Sequence, residues 1–434
     1  MNKRVIAAGL SGNVLEWYDF AVYGFFAATI GHMFFPTEDG SASLLLSLGA
    51  FAVGFLSRPL GGVLFGYLGD RFGRKTVLVY STMLMAVPCT LIGLLPGYDA
   101  IGIAAPVLLV AFRLLQGASV GGELTGSVTY LFEQAPQGRK AFYASWSIAG
   151  AIGGILLGSA VATLITSLLS AEQVAQWGWR IPFLLGAVVG VAGYFLRAHM
   201  PDDEVVVRDE VLASPLVTVV RSHWDRMAIG FGVAVMIAVN FYMSFIYLTT
   251  YMTDTSGLSK ATSLEINTIS MVVVLVMILV GGYLADRFGP SRVLLVSSGV
   301  LIVGALPLFW MIDHPNFAMA MCGQLGLALI IGPYNGVMAY YIGSLFPKDV
   351  RMSGFSVAYN SSFAIFGGTA PMVAQYLVGS VGALGPALYA MAAAIIGFVC
   401  VLLARRLEQP ESNHIASGSS PNFGVGPDVG QVQN

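Results

Sequence analysis

The sequence predicts an all-α integral membrane protein with twelve transmembrane helices, built as two six-helix bundles related by a pseudo-two-fold axis. Three observations predict it. Of 434 residues, 56% are apolar and only 10% are charged, and the mean hydropathy is +0.77. Soluble domains carry roughly 25% charged residues, so this chain lacks the polar residues to coat two or three water-facing domains. Apolar runs of about 20 residues, the length that spans a bilayer, recur throughout. A short motif also repeats half a chain apart: Gly66-Tyr67-Leu68-Gly69-Asp70-Arg71-Phe72-Gly73, then Gly282-Tyr283-Leu284-Ala285-Asp286-Arg287-Phe288-Gly289. Two copies of a six-helix unit are an architecture for alternating access around a midplane site.

The first half holds helices at about 11–35, 43–68, 76–95, 101–131, 139–168 and 180–199. The first run follows Lys3 and Arg4 as a signal peptide would, but Glu16 and Asp19 interrupt it and no small-x-small site follows, so it is read as a retained helix. The second ends in the first motif copy. The fourth and fifth carry Gly117-x-x-x-Gly121 and Gly150-x-x-x-Gly154-x-x-x-Gly158, a spacing that lets helices approach closely. Residues 1–199 make the N-terminal bundle. The polar stretch 200–225 is a cytoplasmic linker.

Helices at about 226–252, 261–285, 293–312, 316–345, 350–380 and 384–405 fill the C-terminal bundle, 226–407. The tail 408–434 turns to Ser, Gly, Pro and Asn and reads as a disordered cytoplasmic segment. Trp177, Trp179, Trp224 and Trp310 fall near helix ends and read as interface anchors. With both termini cytoplasmic, every Lys and Arg lies in a cytoplasmic segment except Arg58, Arg113, Arg180 and Lys260. That asymmetry fixes the expected orientation, in a bacterial inner membrane.

Several function classes drop out. Cys89, Cys322 and Cys400 are scattered through apolar stretches, with no disulfide or metal spacing. No soluble domain or interfacial cluster supports an enzyme, and no basic face supports nucleic-acid binding. A channel would lack the half-chain repeat. No cofactor is expected beyond a proton gradient as energy source.

Ionisable residues inside the membrane cost roughly 2.5–3.5 kcal/mol each on insertion scales, so they mark function or internal pairing. Glu16, Asp19, Arg58, Arg113 and Glu123 stand out. Helix one lines up Asn13, Glu16, Asp19 and Tyr23 at spacings of three and four. Helix four lines up Arg113, Gln116, Glu123 and Ser127, helix seven Asn240, Ser244, Tyr247 and Tyr251, and helix eleven Ser353, Ser356 and Asn360. Four polar stripes imply a shared wet interior. Burial disfavours a charged carboxylate, so Asp19, Glu123 and Glu16 are candidates to carry a proton near neutral pH. Arg113 and Arg58 are candidates to grip a solute carboxylate bidentately. Tyr23, Gln116, Asn240, Tyr247 and Asn360 complete the candidate solute site. The alternative, that these charges only pair with one another and hold the bundle together, stays open.

Gly66-x-x-x-Asp70-Arg71-x-Gly73-Arg74-Lys75 and Arg113-x-x-Gln116-Gly117 resemble signatures of the major facilitator superfamily. Three further stretches narrow the resemblance: Gly12-Asn13-Val14-Leu15-Glu16-Trp17-Tyr18-Asp19-Phe20, Arg58-Pro59-Leu60-Gly61-Gly62, and Gln116 through Glu123. Together they are similar to the metabolite:proton symporter family of citrate, α-ketoglutarate, shikimate and proline/betaine carriers. Asn335-Gly336 and Ala364-Ile365-Phe366-Gly367-Gly368 lean towards its citrate-type members.

The resemblance implies a proton-coupled importer of a small organic acid or zwitterion, working as a monomer. An osmolyte symporter and a transporter-like sensor are the alternatives. It also implies a gate of Asp70, Arg71, Arg74, Asp286 and Arg287. A carboxylate at Asp70 would meet the partial positive charge at the start of helix eleven, near Lys348 to Arg351.

Overall fold

The structure, a computed structural model, describes residues 3–38, 40–199 and 215–416. Among them every regular element is helical. The first half runs α1 (Lys3–Phe25), α2 (Ala27–Phe34), α3 (Gly40–Phe72), α4 (Arg74–Leu94), α5 (Ala104–Glu133), α6 (Lys140–Leu168) and α7 (Arg180–Ala198). After α8 (Pro215–Ser222) come α9 (Trp224–Asp254), α10 (Lys260–Phe288), α11 (Pro290–Ile312), α12 (Phe317–Ser344), α13 (Arg351–Val381) and α14 (Gly385–Ala416). Eleven of these, α3 to α7 and α9 to α14, are long and apolar enough to cross a membrane. The remaining pair, α1 with α2, carries Glu16 and Asp19, breaks at Phe26, and occupies the place of the first of the twelve helices expected from the sequence.

Expected and observed ends differ in two places. Helix one begins at Lys3 rather than near residue 11, taking in the apolar turns Val5 to Leu10 that precede the polar stripe. The last helix continues to Ala416, so residues 408–416 are helical rather than disordered. Hydropathy marks where lipid contact stops, not where the helix stops. The rest of the expected tail, 417–434, and the linker residues 200–214 lie outside the described residues.

The glycines of the repeated motif explain themselves in pairs. Gly73 and Gly289 close the two copies with φ of 92° and 93°, a region open to glycine and hostile to side chains. Gly66 and Gly282 lie where the halves meet. A Cβ on Gly66 would stand 3.0 Å from Ser353 Cα, and one on Gly282 would stand 2.9 Å from the Ala141 carbonyl. So α3 crosses the start of α13, and α10 crosses the start of α6, at the face that carries the Gly73 and Gly289 turns. We refer to it as the Gly73 face.

Within the N-terminal half, helices approach backbone to backbone through small residues. A Cβ on Gly117 or Gly121 of α5 would overlap the Gly54 or Arg58 carbonyl of α3. The Gly150, Gly154 and Gly158 row of α6 meets Leu10, Val14 and Tyr18 of α1. The equivalent pair in the second half is α10 against α12, where Gly336 meets the Ile278 carbonyl. Trp179 is fully buried, edge-on to Phe34 and Phe183, so it is core and not the interface anchor its place near a helix end suggested. Trp177, Trp224 and Trp310 are exposed.

Neighbouring glycines test this packing. Gly154→Ala should destabilise the detergent-solubilised protein by about 1–3 kcal/mol through overpacking. Gly153→Ala, where an added Cβ meets nothing within 4 Å, should be neutral or slightly stabilising, since helical Ala exceeds Gly by up to about 1 kcal/mol. Equal melting temperatures for the two variants would contradict the close approach of α6 to α1.

Candidate functional site

All five in-membrane charges singled out in the sequence are buried, and each has a partner. Arg113 Nη1 donates to Asp19 Oδ2 at 2.7 Å. Arg58 Nη2 donates to Glu16 Oε1 at 3.3 Å. Glu123 pairs with a residue the sequence reading had placed among topology-setting cations: Arg197, near the end of α7 and fully buried. Lipid and close-packed protein offer these charges no water, so unpaired they would be untenable.

The three pairs sit in different surroundings. Arg197 also donates to the Ala8 carbonyl at 3.0 Å and the Leu78 carbonyl at 2.7 Å, and contacts Thr82, while Ser81 donates to Glu123. This network ties α1, α4, α5 and α7 together and lies against Gly12, where any side chain would collide with it. Asp19 and Arg113 lie deeper in the same half. The guanidinium stacks 3.8 Å from the Tyr23 ring centroid, and Tyr23 donates to the Ser47 carbonyl. Asp19 Oδ1, Arg113 Nε and Nη2, and the whole Gln116 amide have no hydrogen-bond partner.

Arg58 differs because it faces the other half. Its guanidinium lies 4.7 Å from the Phe55 ring centroid, 5.5 Å from Trp17 and 5.6 Å from Phe20. Phe55, beneath that guanidinium, meets Tyr242 of α9 edge-on with ring centroids 6.3 Å apart. Trp17 and Tyr359 line a small cavity of about 30 Å³ between the halves, together with Leu124, Ile148, Phe241, Asn335 and Phe363; a solute larger than a water would have to widen it. Trp17 Nε1 has no hydrogen-bond partner. The lining is largely aromatic and aliphatic with a few polar atoms, the usual make-up of a small-molecule site.

The remaining sequence candidates separate into two groups. Asn360 donates to the Gly121 carbonyl at 2.8 Å, from α13 to α5, and so joins the halves beside the cavity. Asn240 instead turns away, donating to the Met236 and Ala390 carbonyls inside its own half. Tyr247 donates to Gln375. Both occupy the expected stripe of helix seven, but that stripe faces α14 and α13 rather than the cavity. Asn13 likewise serves packing, donating to Ser127 and Ser147.

Below the cavity the halves are clasped. Asp70 accepts from the Met352 and Ser353 backbone N–H groups at 3.1 and 2.8 Å. Asp286 accepts from Ala141 and Phe142, both at 2.9 Å. Each carboxylate of a motif copy thus takes two successive amides at the start of a helix in the opposite half, where the helix dipole is positive. Arg74 supports the first clasp, 3.3 Å from Asp70 and donating to the Lys348 carbonyl. Glu133, which no sequence motif had marked, bridges Arg74 at 3.4 Å and Arg351 at 2.7 Å. Arg71 and Arg287 stand outside. They are exposed and lie over Tyr67 and Phe72, and over Phe288. Thr125 with Ser356 closes the gap between clasps and cavity. The molecule is therefore closed on the Gly73 face.

Two outcomes follow from this geometry. Asp70→Asn weakens charge-assisted hydrogen bonds worth about 1.5–3 kcal/mol each. It should speed labelling of a cysteine at Ser356 by a water-soluble thiol reagent about tenfold, with Cys322 and Cys400 replaced by serine; an unchanged rate would mean that the clasp does not hold the face shut. Glu123→Leu should cost about 3–5 kcal/mol of stability by stranding Arg197, and Arg197→Met in the same chain should recover most of it. A double variant less stable than either single one would contradict a role in packing.

Comparison with known proteins adds family to fold. Residues 5–203 match the model of sugar (and other) transporters, and residues 231–430 match that of the major facilitator superfamily. The chain is 35% identical to the glycine betaine/proline/ectoine/pipecolic acid transporter OusA of Dickeya dadantii, covering 96% of this chain and 85% of the relative. It is also 35% identical to the proline/betaine transporter of Escherichia coli (strain K12), covering 92% and 82%. Among solved structures it resembles the proton:xylose symporter XylE bound to 6-bromo-6-deoxy-D-glucose, with a TM-score of 0.75 at 16% identity, covering 93% and 95%. A partially occluded inward-open form of XylE from E. coli gives 0.64 at 17% identity, covering 93% and 97%. With a half-chain repeat, eleven helices fit to cross a membrane among the described residues, and relatives that are carriers rather than enzymes, the chain belongs to the major facilitator superfamily, in its metabolite:proton symporter family, and is a multi-pass membrane transporter.

Proposed function

We propose that the protein is a proton-coupled symporter that imports a zwitterionic carboxylate of the proline or betaine type. It works as a monomer in the bacterial cytoplasmic membrane, with both termini and the Gly73 face on the cytoplasmic side. The bias of Lys and Arg towards that face supports the orientation, and the names of the relatives support the solute class.

The observation that carries this reading is Arg58 beside an aromatic-lined cavity. A guanidinium offers a planar fork to one carboxylate. Ring faces of Trp17, Phe241, Tyr359 and Phe363 offer a negative surface to a cationic head, an attraction of about 0.5–2 kcal/mol per good contact. A citrate-type solute would need more cations, but Arg113 and Arg197 lie away from Trp17 and the cavity lining, which Arg58 alone of the three approaches. That argues against the citrate-type lean of the sequence. Asp19 is paired with Arg113 away from the cavity, which leaves Glu16, beside Arg58, as the carboxylate best placed to carry the proton. The Arg197-bound Glu123 suits a packing role.

Uptake by proteoliposomes tests the reading. One proton crossing about 100 mV supplies about 2.3 kcal/mol, enough for roughly fifty-fold accumulation of a net-neutral solute. Glycine betaine and proline should accumulate under an inward proton gradient, and a protonophore should abolish the accumulation. Citrate should neither accumulate nor compete. Concentrative citrate uptake without betaine uptake would overturn the zwitterion assignment.

A further inference from the structure

Glu16 is a buried anion sharing a cation with the place where the solute's anion would bind. Its carboxylate is 1% exposed, takes Arg58 through Oε1, and leaves Oε2 without a hydrogen-bond partner. Arg58 leaves Nε without one. The titratable and charged groups that act on Glu16 are Arg58 from α3, Glu123 from α5, Arg197 from α7, Tyr242 from α9 and Tyr359 from α13, with Asp19 one turn along its own helix. Glu123 and Arg197 neutralise each other, which leaves Arg58 as the counter-charge of Glu16.

We propose that Glu16 stands in for the solute's carboxylate: it occupies Arg58 in the empty carrier, and the solute displaces it when Glu16 takes up a proton. This rests on the reading of Arg58 as the anchor of a zwitterion. The reason is the cost of a fully buried carboxylate that has lost the one arginine beside it, set against a net positive charge that the ring faces of the cavity can accept. A solute carboxylate on Arg58 strands Glu16 as an unpaired anion unless one proton, drawn from the water that admits the solute, binds a Glu16 oxygen. The loaded site then holds neutral Glu16, the Arg58–carboxylate pair, and one net positive charge on the solute's cationic head, against the ring faces of the cavity. Loss of that proton on the far side returns Glu16 to Arg58 and expels the solute. One proton therefore moves with each solute. Neither pair lines the cavity, but Arg58 lies 5.5 Å from the lining residue Trp17, whereas Arg113 lies over Tyr23 and Phe20, so the Asp19–Arg113 pair is left intact by binding.

Equilibrium binding of radiolabelled glycine betaine to the full chain in lipid nanodiscs, from about pH 5 to about pH 9, tests this, a span that covers the range open to buried carboxylates. Wild-type affinity should fall about tenfold per pH unit above the titration of Glu16, as linkage to one proton requires. Glu16→Gln should bind with a pH-independent affinity at least as tight as the wild type at acid pH. Glu16→Asp and Asp19→Asn should keep the slope. A Glu16→Gln protein that keeps the wild-type slope would overturn the proposal. Proton uptake by the wild type in weakly buffered solution is a second readout that needs no variant: one proton per betaine bound at alkaline pH is expected, and none would overturn it. Betaine binding with no pH dependence keeps the zwitterion reading and removes only the role of Glu16. No betaine or proline binding at any pH removes both.

Discussion

A charge placed in hydrocarbon or in close-packed protein must find its counter-charge inside the molecule. The N-terminal half is arranged around that constraint. Glu16, Asp19 and Glu123 each take one arginine, from three different helices, so that α1 and α5 are joined to α3, α5 and α7 by ion pairs. The glycine rows of α5 and α6 allow the backbone approach that brings these side chains within reach. Pairing and packing depend on each other: without the glycines the charges would stand too far apart, and without the pairs the helices would carry stranded ions.

The same economy of partners operates where the halves meet. Asp70 and Asp286 are satisfied by backbone amides at the starts of α13 and α6 rather than by arginines alone. Such bonds are strong while made, and each set of groups can be rewetted when the halves part, because both lie near the end of a transmembrane element. Buried acid–arginine pairs inside one half have no such outlet and should move with their bundle. Glu16–Arg58 differs in its place, with Arg58 5.5 Å from Trp17 of the cavity lining at the seam. A carrier that alternates between two closed faces needs contacts of both kinds, some that break and some that hold.

Much of this was legible in the sequence. The bilayer's thickness fixes the length of an apolar run, so the crossings were readable one by one. The motif repeat located Asp70 and Asp286, and the resemblance placed Asp70 opposite the start of helix eleven. What stayed hidden was partner choice. Periodicity shows that Asn240 and Tyr247 share a face, but not whether that face looks at the cavity or at α14. Arg197 and Glu133 lie near helix ends, where a charge ordinarily meets water, so nothing in one sequence separates a buried clamp from a topology signal. Trp179 misleads for the same reason. The sequence offers Arg113 and Arg58 alike as solute anchors, and only closeness to the seam distinguishes them.

The central claim is that the arginine at the seam, and not the one deeper in the bundle, receives the solute. A structure of the protein with glycine betaine bound, determined by electron cryomicroscopy at acid pH, addresses it directly. The account predicts the betaine carboxylate on the Arg58 guanidinium, the quaternary ammonium against Trp17 and Tyr359, Glu16 released from Arg58, and Asp19 still paired with Arg113. Density for betaine on Arg113, with Glu16 and Arg58 still joined, would contradict it.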